Sequence, residues 1–120
     1  MYAYTELFIL GAFHKGLYIM ATTIKCTARH MAGGTGHEHI SHLWWDQIEE
    51  SGKVLKSGDC TRGDMVAYIE KNGNNSVWCP DRNPQLKGAW VHVHSNGHIK
   101  YVQTVADGRK SDNLLSLPQK

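Results

Sequence analysis

The chain lacks a long apolar run, a disulfide pattern and an excess of either charge. A membrane-spanning helix needs about 20 consecutive apolar residues. The most apolar stretch, Leu7–Leu10, soon meets Gly11, His14, Lys15 and Gly16. It is not expected to serve as a secretory signal, because Glu6 precedes it and no basic residue does. Cys26, Cys60 and Cys79 are odd in number, far apart and form no Cys-x-x-Cys. They are expected to be free thiols packed as small hydrophobes in a reducing, cytoplasmic setting. The formal net charge is +2, with acidic and basic residues interspersed. No basic stripe of the kind that marks a strong nucleic-acid binder is present.

Catalytic signatures are missing as well. Gly33, Gly34 and Gly36 make a loop, but no Gly-Lys-Ser/Thr ending or helix start follows them as a phosphate loop needs. No Gly-x-Ser-x-Gly elbow occurs, and no family signature surrounds a cysteine. No catalytic residue, cofactor or membrane association is therefore expected.

What is present describes one folded domain. The chain has 120 residues, 41% hydrophobic and 20% charged, which supports a single core. Met20 followed by Ala21-Thr22-Thr23-Ile24 reads as a natural start. The domain is expected over residues 20–120, with 1–19 as an N-terminal extension. The alternative is that Phe8, Ile9, Leu10 and Phe13 pack as an extra strand or helix.

Thr22–Ala28 alternates as a strand, with Ile24, Cys26 and Ala28 on one side. His37–Trp45 alternates as a second, joined to the first through the glycine loop. Period two puts Trp44 and Trp45 on opposite faces. Asp46–Lys56 is mixed, with room for a short helical turn, and Ser57-Gly58-Asp59 reads as a break. Thr61-Arg62-Gly63-Asp64 is a capping pattern that opens a helix with Met65, Val66 and Ile69 on its apolar face. Asn72-Gly73 ends that helix. A short strand at Ser76–Cys79 and a hairpin around Asn96-Gly97 follow. A two-residue hairpin loop would pair His94 with Ile99, His92 with Tyr101 and Trp90 with Gln103. Val91, Val93, Val102 and Thr104 share the face expected to meet the helix. Leu114, Leu115 and Leu117 are expected to fold under the sheet before Pro118. The expected fold is α+β: an antiparallel sheet of about five strands in the order β-β-α-β-β-β, with one main helix on one face.

Candidate sites follow from three residue types. His37 and His39, with His92 and His94, form two His-x-His pairs that suit zinc or nickel if the pairs face each other across neighbouring strands. Scattered half-exposed histidines are the plainer outcome, and no strict zinc spacing is present. Trp44, Trp45, Trp90, His92 and Tyr101 are the expected partner-binding set, since aromatics concentrate at protein interfaces. They serve equally as core residues. Aromatics can also stack the bases of a single-stranded nucleic acid, with Lys25, Lys100, Arg109 and Lys110 supplying positive charge.

One stretch carries a family resemblance. His37-Glu38-x-Ile40-Ser41-His42-Leu43-Trp44-Trp45 precedes the helix opened by Thr61-Arg62-x-Asp64-Met65-Val66. The end is Tyr101-Val102-x-Thr104-x-Ala106-Asp107-Gly108, then Asp112-Asn113-Leu114-Leu115-Ser116-Leu117-Pro118. From about Thr22 to Pro118 the chain resembles the small bacterial and phage domain-of-unknown-function family DUF3892. The closing motif is the specific part, and Ile48–Cys60 has no clear counterpart. The resemblance implies a small accessory factor, from a phage or mobile element, and brings no activity to carry over. The expected function is non-enzymatic binding of a protein partner, in its sharpest form inhibition of a host system. Single-stranded nucleic-acid binding and histidine-based metal binding are the alternatives. Exposed edge strands leave room for a homodimer.

Overall fold

Burial along the first strand follows the alternation of its sequence. Thr22, Ile24, Cys26 and Ala28 are buried, while Thr23, Lys25 and Thr27 are half-buried. The structure of the protein is a computed structural model that describes residues 22–120. The expected extension and the start at Met20 lie outside those residues. The described elements are β1 (Thr22–Met31), a 3-10 turn (His37–His39), β2 (Ile40–Glu49), β3 (Val54–Thr61), α1 (Arg62–Asn72) and β4 (Val77–Cys79). β5 (Ala89–Ser95), β6 (Lys100–Ala106), β7 (Arg109–Ser111) and a second 3-10 turn (Leu114–Ser116) complete them.

The strands form one sheet in the order β3-β2-β1-β4-β5-β6-β7. The class is α+β with one helix, as expected, but the described sheet has seven strands instead of about five. It is also not wholly antiparallel. β1 and β4 run parallel through Ile24↔Val77 and Lys25↔Trp78, because α1 carries the chain from the β3 edge back past β2 to the far side of β1. The two additional strands are β3 and β7. β3 contains Ser57-Gly58-Asp59, which reads as a break, and it is mostly exposed. β7 spans only three residues.

Two local expectations are corrected. His37–His39 is a 3-10 turn, and the strand begins at Ile40. The His39 ring lies against Gly34, where an added Cβ would stand 2.4 Å from it, and His39 Nδ1 contacts the Ala32 carbonyl oxygen at 3.2 Å. The hairpin register differs by two residues: His94 pairs with Tyr101, His92 with Gln103 and Trp90 with Val105. Asn96 causes the shift. Its side-chain oxygen accepts the N–H groups of His98 and Ile99 at 2.9 and 3.0 Å, so the loop spans four residues. A slip of two preserves the faces, and Val91 and Val102 are fully buried as expected.

The helix follows its sequence signals. The Thr61 hydroxyl accepts the Asp64 N–H at 3.1 Å, and Gly73 closes the C-terminus at φ 97°. Met65, Val66 and Ile69 pack into a core with Ile24, Leu43, Val77, Val91 and Val102. The chain end completes that core. Leu114 and Leu117 are buried in it, and Leu115 packs against it half-buried. β4 ends at Cys79, and farther along β1 the tail takes over its edge. The Arg29 N–H donates to the Pro118 carbonyl at 3.0 Å, and the Lys120 N–H donates to the Arg29 carbonyl at 2.8 Å. The Arg29 guanidinium donates to the Leu115 carbonyl at 3.2 and 2.7 Å.

Candidate binding face

One row of directly paired residues crosses all seven strands. Ser57 pairs with Asp46, Asp46 with Lys25, Lys25 with Trp78, Trp78 with Trp90, Trp90 with Val105 and Val105 with Lys110. Residues opposite one another in a ladder lie on one side of the sheet. This row therefore stands on the side away from buried Ile24, Cys26, Val77 and Cys79, which face the core.

Trp78 is held in place. Its indole N–H donates to the Thr23 hydroxyl at 3.0 Å, and the Lys25 ammonium stands 5.6 Å from its ring centroid. The backbone at Gly88 runs so close that an added Cβ would lie 2.8 Å from the same ring and 2.4 Å from the Cys79 carbonyl oxygen. Beside it, Trp90 is 37% exposed, an unusual exposure for so large an apolar side chain. Asp46 is engaged by the Ser57 hydroxyl at 2.7 Å. Lys25 makes no close ion pair among the described residues; Asp46 stands opposite it in the ladder, and its ammonium lies over the ring. Farther along β5 and β6 the rings of His92 and His94 stack with centroids 6.4 Å apart, and His94 meets Tyr101 at 5.7 Å.

The expected partner-binding residues divide. Trp90, His92 and Tyr101 share this face. Trp44 pairs with Asp59 on the same side as Asp46, where its ring meets His42 at 5.3 Å and the Lys120 ammonium at 5.4 Å. His42 is itself bound to Asp59 at 2.7 Å. Trp45 pairs with Cys26 and points to the helix side. Lys25 and Trp78 belong to the face but not to the expected set. Their place depends on the parallel β1–β4 pairing, which strand alternation alone does not reveal.

The four histidines considered for metal do not converge as two facing pairs. His39 is turned to the glycine loop. His37 is buried, with its Nε2 3.9 Å from an Asp112 carboxylate oxygen. Burial holds its pKa below the ordinary value, opposed by Asp112 and Glu38 and reinforced by His94 and Lys110. Burial, then Lys110, lowers His94 in the same sense. Among the described residues no three His, Cys, Asp or Glu side chains are grouped to hold a metal ion. Burial pushes the Cys60 and Cys79 thiols up to about 12, which keeps both protonated and poorly nucleophilic at neutral pH.

The closing segment whose leucines fill the core lies within the stretch that a family comparison matches. A family model described as "Protein of unknown function (DUF3892)" matches residues 23–118. The chain belongs to the DUF3892 family. The match runs from the second residue of β1 to Pro118, so it takes in nearly all of the described sheet and all of α1. Ile48–Cys60, which had no evident family counterpart, lies inside it as the end of β2, a turn and most of β3. No curated protein and no solved structure matches the chain.

Proposed function

We propose that this DUF3892 protein is a non-enzymatic binding module that engages a protein partner through the sheet face centred on Trp78 and Trp90. The observation that supports the reading is the paired row Lys25–Trp78–Trp90. It combines a fixed aromatic, an exposed aromatic and a cation that makes no close ion pair among the described residues. Such a surface suits a partner that lays an apolar side chain on Trp90 and brings a carboxylate to Lys25. Buried aromatic anchors dominate protein interfaces, and desolvation strengthens a charge pair beside them.

Capture from host lysate, compared across variants, tests it. Trp90→Ala is expected to lower retention of a stoichiometric partner by about tenfold or more, with the melting temperature unchanged. Leu86→Ala, at a residue 59% exposed in the β4–β5 loop, is expected to leave retention intact. Equal retention by wild type and Trp90→Ala, or no stoichiometric partner, defeats the proposal.

A second reading rests on the lysines at Lys25 and Lys110. They bracket Trp78, Trp90 and Val105 across four strand spacings, about 19 Å. That spacing suits an extended single strand with bases on the indoles and phosphates at the lysines. Anisotropy with a labelled oligothymidylate then shows a steep loss of affinity between 50 and 200 mM salt. Flat or absent binding removes this reading and leaves the first untouched.

A further inference from the structure

A second concavity lies on the opposite side of the sheet, apart from the proposed protein-binding face. It is a cleft of about 350 Å³ between α1 and β1–β3. That is the low end of the roughly 300–1,000 Å³ range of ligand pockets, enough for one ring with a short arm. Two of its walls are aromatic, Trp45 and Tyr68, and Met65 adds an apolar surface. Trp45 is positioned by Gly58 across the ladder, whose missing side chain leaves room for the indole: an added Cβ would lie 2.7 Å from it.

The charges along the cleft are asymmetric. Asp64 and Lys71 both line it. They are seven residues apart on α1, so about 10 Å separates them along the helix axis. Asp64 makes no ion pair among the described residues. The Cys60 thiol, also in the lining, senses the carboxylates of Asp64 and Asp59, which reinforce the effect of its burial. The Asp64 carboxylate therefore places negative charge at one end of a cleft that also holds Trp45 and Tyr68. That combination favours an organic cation through cation–π attraction and a carboxylate at once. Lys71 repels a cation from the other end, which orients the ligand.

We propose that this cleft binds a small hydrophobic ammonium compound, with its apolar body against Trp45, Tyr68 and Met65 and its cation at Asp64. The ligand is an amine carrying a single ring or a comparable apolar group. This site is independent of the protein-binding reading, and neither stands or falls with the other.

Three probes that share a phenyl group on a two-carbon arm decide it: 2-phenylethylammonium, 2-phenylethanol and 3-phenylpropionate. Each is titrated into the full chain while the indole N–H resonance of Trp45, assigned with Trp45→Phe, is followed by NMR. The ammonium is expected to shift that resonance and to bind about tenfold more tightly than the alcohol, with the carboxylate weakest. Asp64→Asn is expected to reduce ammonium affinity to that of the alcohol and to leave alcohol binding unchanged. The fold tolerates this variant, because the cap uses the Asp64 backbone N–H and not its carboxylate. Ala67→Phe, at an exposed residue lining the cleft, fills the space and is expected to abolish binding of both at unchanged melting temperature. Equal affinity for the three probes, preference for the carboxylate, a Trp45 resonance that does not move, or Asp64→Asn without effect each overturns the proposal. Unchanged binding by folded Ala67→Phe overturns it too.

Discussion

His37 and His94 are neutral bases held in partly dehydrated places. Each has a buried Nε2 that makes no hydrogen bond among the described residues. Around His37 stand Asp112, Glu38, His94 and Lys110; around His94 stand Lys110, His92 and the Gln103 backbone. Both folded-state pKa values lie below the ordinary value, so the unfolded chain takes up these protons first. Stability from this source is complete above about pH 6.5 and declines as the pH falls below it toward the folded values. Urea midpoints measured from pH 8 to pH 5 are expected to fall in this way, and more shallowly in His37→Gln/His94→Gln. An identical slope in that double variant assigns the effect to other groups. At the same scale, alternation already separates Trp44 from Trp45. What it cannot supply is the neighbour of each: Gly58 beneath Trp45, His42 and Lys120 beside Trp44. Those contacts come from strands and a tail far away in sequence.

α1 and the β5–β6 hairpin show what was legible at the level of elements, and β3 what was not. The helix is specified by signals within a dozen residues: a capping threonine, an apolar stripe and a closing glycine. β3 lies at a sheet edge, so most of its side chains face solvent and no periodic burial is imposed on its sequence. Its Gly58, read locally as a break, instead makes space for Trp45. Two alanine substitutions separate these roles. Gly63 sits inside α1, where an added Cβ meets only the Thr61 hydroxyl at 3.9 Å. Gly63→Ala is therefore expected to raise stability by about 0.4–1 kcal/mol. Gly58→Ala pushes a methyl group into the Trp45 ring and is expected to cost about 1–3 kcal/mol. Urea denaturation reads both. A neutral or stabilising Gly58→Ala means that the ring moves aside freely.

For the whole molecule, the closing segment joins what the topology leaves apart. β3-β2-β1 and β4-β5-β6-β7 are two antiparallel blocks, and the ladder between them contains only two residue pairs. α1 covers the seam, while Leu114, Leu117 and the tail on β1 fill it from the other end. The leucine cluster under the sheet was legible from its composition. The tail beside β1 was not, because nothing local to Pro118–Lys120 names a partner near Arg29. Removing Asn113–Lys120 deletes two buried leucines, each contributing about 1.5–3 kcal/mol, along with the backbone bonds to β1. Against a typical stability of about 5–15 kcal/mol, this deletion is expected to abolish the cooperative thermal transition followed by circular dichroism. A truncated chain that melts sharply shows the blocks to be self-sufficient. The seam also sets an order in time. Each block closes through nearby residues, whereas Arg29 and Gln119 stand 90 positions apart. Long-range closure is the slow part of folding. During synthesis β1 is made long before Gln119, and the part of its edge beyond β4 stays bare until the closing segment that completes it has been made.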